Sequence, residues 1–430
     1  MATDMTRRTF VKTAAAAGLA AGFASPKAHG ANERIRMAFI GVGNRGGQLI
    51  EATLPHQDAE IVALCDVYQP YLDKWCEKLG PEVKPYRDFR EVFAREDIDA
   101  IAIGTPDHWH AIMTIDACRA GKDVYVEKPM CFTIREGRRM VEVAKETGRV
   151  VQVGMQRRSS AMYAELGERI RGGEFGHVTM SRAYRVSNMT PTGMGKAPDS
   201  DPPADLDWDM WLGPRPMRPF NPNIAPYKFR WWKEYSSQMT NWGVHYFDLL
   251  RWLNGDEAPS AVCALGGRYA VDDDRNIPDT MQATFEFPAG RLLLFGQYEA
   301  SGNSAIPGEI EVRASKGTIY GTSGGYKVLP EKSGQFQDWE KPFEPIEVKS
   351  SDPELTQEHM RNFLDCVRSR ETPKADAETG HRSTTIAHLG NISLETKSLL
   401  QWDAAAERIT NNEAANALLH YEYRAPWTLG

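Results

Sequence analysis

Gly41, Gly43 and Gly46, with Asn44 and Arg45 between them, form a GxGxxG cluster between the apolar run Ile35 to Ile40 and a stretch of helical spacing. Glycine there permits a tight turn, lets the main chain approach a pyrophosphate and lets helix meet strand, while the helix N-terminus offers unpaired N–H groups and a positive dipole. Asp66 ends the next apolar run, twenty residues after Gly46. A carboxylate at that place can accept both ribose hydroxyls and repels a 2′-phosphate, so the expected cofactor is NAD rather than NADP. Two further runs end in Gly104-Thr105-Pro106-Asp107-His108-Trp109-His110 and in Glu127-Lys128-Pro129. Ligands of open α/β sheets bind at such carboxyl ends. The expected cofactor contacts are therefore Gly41, Gly43, Asn44, Arg45, Gly46, Asp66, Thr105, Pro106, His108, His110, Glu127, Lys128 and Gln156. No metal is expected, because His108, His110 and a distant His245 make a poor zinc spacing.

Taken together, GxGxRG (Gly41 to Gly46), TPxxxH (Thr105 to His110) and EKP (Glu127 to Pro129) resemble the Gfo/Idh/MocA family, and the similarity runs from about Ile35 to the C-terminus. The resemblance implies a Rossmann domain followed by an open-faced antiparallel sheet, with nicotinamide between them. It also implies a cis bond between Lys128 and Pro129.

Oxidising a secondary alcohol requires hydride to leave carbon while a base takes the hydroxyl proton. Lys128, partly desolvated beside a cationic nicotinamide, would have its pKa lowered into a usable range; a structural salt bridge is the competing role. The stretch from Met239 to Asp248 is similar to the family's DxGxHxxD segment, which implies that His245 is an acid/base group. On a helix Asn241, His245 and Asp248 share one face, so Asp248 could fix the His245 tautomer. Asn241 stands where the family has aspartate, and Ser236 and Ser237 where it has a glycine pair. Asparagine cannot titrate, so the proton falls to His245 and Lys128. Six tryptophans, Trp208, Trp211, Trp231, Trp232, Trp242 and Trp252, crowd one region, where their rings can stack on sugar C–H faces or pack a core. Trp231, Trp232, Arg157, Arg230 and Asp248 are the expected substrate contacts, the arginines through hydroxyls or a carboxylate.

The elements that must position these groups follow from periodicity. Apolar runs at Ile35 to Ile40, Ile61 to Cys65, Ala100 to Ile103, Val124 to Val126 and Val150 to Val153 read as buried parallel strands. Helical spacing between them gives a doubly wound sheet. After Gln156 come a helix, a strand from Val178 to Tyr184 and a proline-dense stretch from Pro191 to Pro226, read as a long functional loop or arm. Alternating segments between Ala261 and Tyr320 read as an antiparallel sheet with one solvated face. Amphipathic helices near Glu358 to Arg368 and Ser383 to Leu399 close the chain. The expected domains are a nucleotide-binding one over 31–155 and a substrate-binding α+β one over 156–430.

Residues 1–30 resemble a twin-arginine signal, with Arg7 and Arg8 before a mild apolar run and Ala28-His29-Gly30 as a cleavage site. The resemblance implies export of an already folded protein to the periplasm or beyond, with its cofactor loaded beforehand. A net charge of −7 without a basic run excludes nucleic acid as an expected partner, and no stretch is apolar enough to anchor the processed chain in a membrane. The six cysteines are expected as free, buried thiols, and the protein as a homo-oligomer. Three activities fit this reading. The first is NAD-dependent oxidation or reduction of a sugar or polyol. The second is glycoside cleavage by oxidation, elimination, hydration and reduction on retained NAD. The third, a non-catalytic sugar-binding relative, would have lost the base, yet Lys128 and His245 are both present.

Overall fold

The structure is a computed structural model describing residues 34–302 and 308–430. The twin-arginine stretch lies outside the described residues. Six strands, β1 (Ile35–Ile40), β2 (Ala59–Cys65), β3 (Lys84–Tyr86), β4 (Ala100–Ile103), β5 (Asp123–Val126) and β6 (Val151–Val153), form one parallel sheet in the order β3-β2-β1-β4-β5-β6. Its central strands carry apolar side chains on both faces because helices cover both sides. The helix Ile134–Thr147 starts on a capping box, Thr133 with Glu136, and stops where Gly148 turns left-handed. β3 was not expected, since Lys-Pro-Tyr has no apolar run; it is an edge strand held by pairing with β2.

The second sheet has eleven strands: β7 (Val178–Asn188), β8 (Ala261–Gly267), β9 (Thr280–Phe287), β10 (Arg291–Tyr298), β11 (Ala300–Ser301), β12 (Ile310–Ala314), β13 (Gly317–Thr322), β14 (Gly325–Pro330), β15 (Ile346–Lys349), β16 (Leu400–Asp403) and β17 (Arg408–Ile409). It is mixed rather than purely antiparallel. β7 inserts between β10 and β12, running parallel to the first and antiparallel to the second. Along β9 buried and more exposed residues alternate, and the buried face packs with the helices Ala161–Arg171, Val244–Asn254 and Ala377–Thr396 in one core.

Two segments tie the sheets together. The proline-dense arm is structured around a short helix, Trp208–Leu212, with its own core of Leu206, Trp208, Trp211, Phe220 and Ile224. Main-chain hydrogen bonds from Gln69 N to Asp205 O and from Asp207 N to Val67 O, both 3.0 Å, fasten it to the end of β2. The helix Leu355–Ser369 returns to the first sheet, where Met360, Phe363 and Leu364 pack with Leu49 and Tyr125. Residue 155 thus divides the sequence more cleanly than it divides the packing.

Candidate active site

Gly41 has φ +77°, and a Cβ there would lie 2.6 Å from the Thr105 amide nitrogen; one on Gly46 would lie 1.8 Å from the Gly41 carbonyl oxygen. The turn therefore closes main chain against main chain at the mouth of β4, which no larger residue permits. Gly43 caps the helix Asn44–Thr53 without a side-chain acceptor, leaving the first-turn amides for a ligand. Above them is an open cavity. Gly41, Gly43, Asn44, Arg45, Asp66, Thr105 and Pro106 line one wall. The arm and the segment after it supply the other with Met210, Trp211, Pro226, Tyr227, Phe229 and Arg230.

Asp66 sits at the cavity's end, accepting from Val42 N at 2.8 Å and Tyr68 N at 2.9 Å. Burial raises its carboxyl to about 6, against the pull of those amides. Its remaining lone pairs suit ribose hydroxyls. Thr105 Oγ1 is buried without a partner among the described residues. Glycine cradle, uncapped helix, carboxylate and orphaned hydroxyl together fit a dinucleotide.

Several residues expected on the cofactor lie behind this wall. Gly46 backs the turn. Glu127 is buried, and its oxygens accept from Arg45 Nε at 2.7 Å and Lys128 N at 3.1 Å, so it pins the glycine turn to the EKP loop. His108 is sealed under the arm, with Nε2 2.9 Å from the Trp211 carbonyl oxygen and its ring against Tyr235; burial lowers its pKa to about 3. His110 spans two loops, its ring nitrogens 2.7 Å from Pro129 O and 2.9 Å from Thr105 O. Gln156 lies in the turn Gln156–Ser159 with Oε1 buried and without a partner among the described residues. None of these five lines the cavity. Tyr71, Met210 and Tyr227 do, without having been expected there, because only the fold brings them to the glycine turn.

The Lys128–Pro129 bond is cis. Lys128 Nζ donates to Asn241 twice, at 3.0 Å to its carbonyl oxygen and 3.3 Å to Oδ1. Burial lowers the lysine pKa to about 8, with Glu127 opposing and Arg230 adding to the effect. Asn241 belongs to a π-helical turn, Met239–Gly243, that runs directly into the helix Val244–Asn254. Ser237 and Thr240 brace the turn by reciprocal hydrogen bonds of 3.1 Å from each amide to the other's hydroxyl. His245 follows one turn later. Burial, and then the cations Lys128, Arg157 and Arg45, push its pKa well below the ordinary value, leaving a neutral imidazole. Asp107, the first variable residue of TPxxxH, accepts from Ser236 Oγ at 2.6 Å and also acts on Lys128.

Asp248 does not orient His245. It is buried, accepting from Arg158 Nε at 2.9 Å and Ser383 Oγ at 2.8 Å, so it bonds helix to helix and is closed to substrate. Trp232 donates to Asn223 O at 2.6 Å inside the arm, and Trp231 to the Glu299 carboxylate at 3.1 Å; both indole nitrogens serve packing. Arg157 pairs with Glu309 at 2.7 Å above the Tyr246 ring. Arg230 stacks on Tyr227 and Phe229 and lines the nucleotide cavity, where burial lowers its pKa.

A family model described as an oxidoreductase family with an NAD-binding Rossmann fold matches residues 35–155, and its companion, the C-terminal alpha/beta domain of that family, matches 178–429. A glycosyl hydrolase family 109 protein of Shewanella sp. (strain ANA-3) is 35% identical over 123 residues. The alpha-N-acetylgalactosaminidase of Shewanella oneidensis is 34% identical over 123 residues. Each alignment covers 27% of this chain and 27% of the relative, so the chain matches just over a quarter of those relatives' length. Among solved structures, the fold is similar to aldose-aldose oxidoreductase from Caulobacter crescentus complexed with glycerol, with TM-score 0.65 and 17% identity over 86% of this chain and 100% of that one. It is also similar to the WlbA dehydrogenase of Bordetella pertussis in complex with NADH and UDP-GlcNAcA, with TM-score 0.64 and 21% identity over 86% and 99%. At these identities the likeness is one of fold.

Proposed function

The chain belongs to the Gfo/Idh/MocA family of oxidoreductases, and from that premise we propose that it moves hydride between a secondary hydroxyl of a sugar or polyol and a tightly held NAD. The observation that carries this reading is the geometry of Lys128, just past the carboxyl end of β5, whose Nζ donates to Asn241 at 3.0 Å, with burial lowering its pKa to about 8. NAD, when bound, supplies the hydride acceptor. Lys128 takes the hydroxyl proton, and Asn241 fixes the direction of its ammonium without competing for the charge. The neutral His245 ring accepts a hydrogen bond from a substrate hydroxyl and orients it. The arm keeps water from the cleft. The test is mass spectrometry of natively purified protein for co-purifying NAD, followed by a sugar and polyol panel monitored by nicotinamide absorbance. Protein that holds NAD and reduces it with a sugar supports the reading; protein that binds no dinucleotide sinks it.

The glycosidase relatives suggest a second reading, redox-neutral glycoside cleavage on retained NAD, although each alignment covers only 27% of this chain. Repeated cleavage of an aryl glycoside without added NAD, with solvent deuterium entering beside the oxidised carbon, would select it. Export by the twin-arginine route is a further proposal, tested by locating the precursor after both Arg7 and Arg8 are changed to lysine. A homo-oligomer is proposed as well, because Leu265 and Leu292 stand exposed on the uncovered sheet face; sedimentation of the mature protein tests it.

A further inference from the structure

Of the arginines that act on Lys128 and His245, Arg230 lies in the nucleotide cavity against Tyr227 and Phe229, and the others are held by carboxylates. Arg45 pairs with Glu127 at 2.7 Å, Arg157 with Glu309 at 2.7 Å and Arg158 with Asp248 at 2.9 Å. Arg185, outside the nucleotide cavity, has no such carboxylate among the described residues. It lies on β7 opposite Gln297 of β10, and its side chain shares the face of the buried Ser181 and Ala183, turned toward the helices. Its guanidinium carbon stands 3.9 Å from the centroid of the Trp242 ring, and it makes no ion pair with a described carboxylate. Two acids at the ends of strands that flank β7, Glu309 before β12 and Glu299 after β10, are taken, the first by Arg157 and the second by Arg275 at 2.5 Å.

Trp242 ties this cation to the reacting groups. It follows Asn241, which holds the Lys128 ammonium, and its ring centroid is 6.4 Å from that of His245. Arg185 also acts electrostatically on Tyr246, the residue after His245, together with Arg157 and Glu309. An arginine flat on an indole keeps its in-plane N–H fork free, and that fork matches a carboxylate in bidentate fashion.

We propose that the sugar accepted at this site carries a carboxylate, as a uronate or aldonate does, and that Arg185 is the residue that receives it. The inference rests on the dehydrogenase reading above and adds the substrate class to it. The acid group sits on the Trp242 side, the reacting hydroxyl between Lys128 and His245. Arg185 orients the substrate and takes no part in proton movement.

The experiment is calorimetric titration of the full-length, NAD-loaded protein with glucuronate, galacturonate and gluconate, each against its neutral counterpart, glucose, galactose or sorbitol. Wild type is compared with Arg185→Met and Arg185→Lys. At least one acid is expected to bind about tenfold or more tighter than its neutral partner, with the preference falling as salt rises. Arg185→Met should abolish the preference, Arg185→Lys restore part of it, and NAD affinity stay unchanged in all three. Neutral sugars binding as well as the acids overturn the inference. So does a preference that survives Arg185→Met, or an NAD-loaded protein that binds none of the acids. Failure of the underlying reading looks different, since the protein then takes up no NAD at all.

Discussion

The ammonium of Lys128 donates to both oxygens of one residue, Asn241, across 113 positions of sequence. A carboxylate at position 241 would form a salt bridge and raise the lysine pKa; the amide aligns the ammonium while leaving its pKa lowered to about 8. In the oxidative direction the active form is the neutral amine, so kcat/KM should rise with pH and level off above about 8. Asn241→Asp should move that inflection upward by about one unit or more, read from the pH profile of a sugar-dependent reaction. An unmoved inflection would remove Lys128 as the titrating group.

Lys128→Met should leave NAD bound and slow turnover by about 10² or more, the usual worth of a positioned acid/base group. Single-turnover kinetics on NAD-loaded protein separates this from a loss of binding.

His245 is held neutral by burial and by three nearby cations. Its imidazole should therefore keep neutral nitrogen shifts in NMR through the pH range in which an ordinary histidine protonates. A titration centred near the ordinary value of about 6.5 would contradict the burial and the cations around the ring.

Asp66→Asn should narrow the preference for NAD over NADP, measured by calorimetry, because the charge that repels a 2′-phosphate is gone. The same variant tests the raised carboxyl. A folded-state pKa of about 6, above the ordinary 3.8, contributes stability that is present below about pH 4 and lost as pH rises through 6. Without nucleotide, Asp66→Asn should therefore melt higher than wild type at pH 7, and the gap should close toward pH 4.

Arg275 is fully buried and bonded to Asp273 at 2.8 Å and Glu299 at 2.5 Å. Arg275→Met leaves two buried carboxylates without their cation and should cost about 3–5 kcal/mol by denaturant unfolding. A loss under 1 kcal/mol would mean that the acids find protons or water cheaply.

The sequence by itself determined what is local. GxGxxG, Asp66 and EKP are runs of neighbouring residues on strand–turn–helix units, so their main-chain geometry follows from residue type: glycine where Gly41 meets Thr105, a carboxylate at the end of β2, proline after Lys128. The apolar runs likewise identified five of the six parallel strands, and helical spacing the longer helices between them, though not the short one at Phe89–Phe93.

Tertiary structure decided which groups face the ligand and which face each other, because those pairings join distant residues. Glu127 turns to Arg45, 82 positions away, His108 to Trp211 across 103, and Asp248 to Ser383 across 135. A histidine or carboxylate in a suggestive motif carries no mark of whether its partner will be substrate or protein. The mixed second sheet is equally non-local, since β7 pairs with β10 and β12 across the whole intervening arm. Proline density marked that arm, but its place over the nucleotide cavity comes from partners far off in sequence, main-chain bonds at Val67 and Asp205 and the side chains of His108 and Trp109 against Trp211.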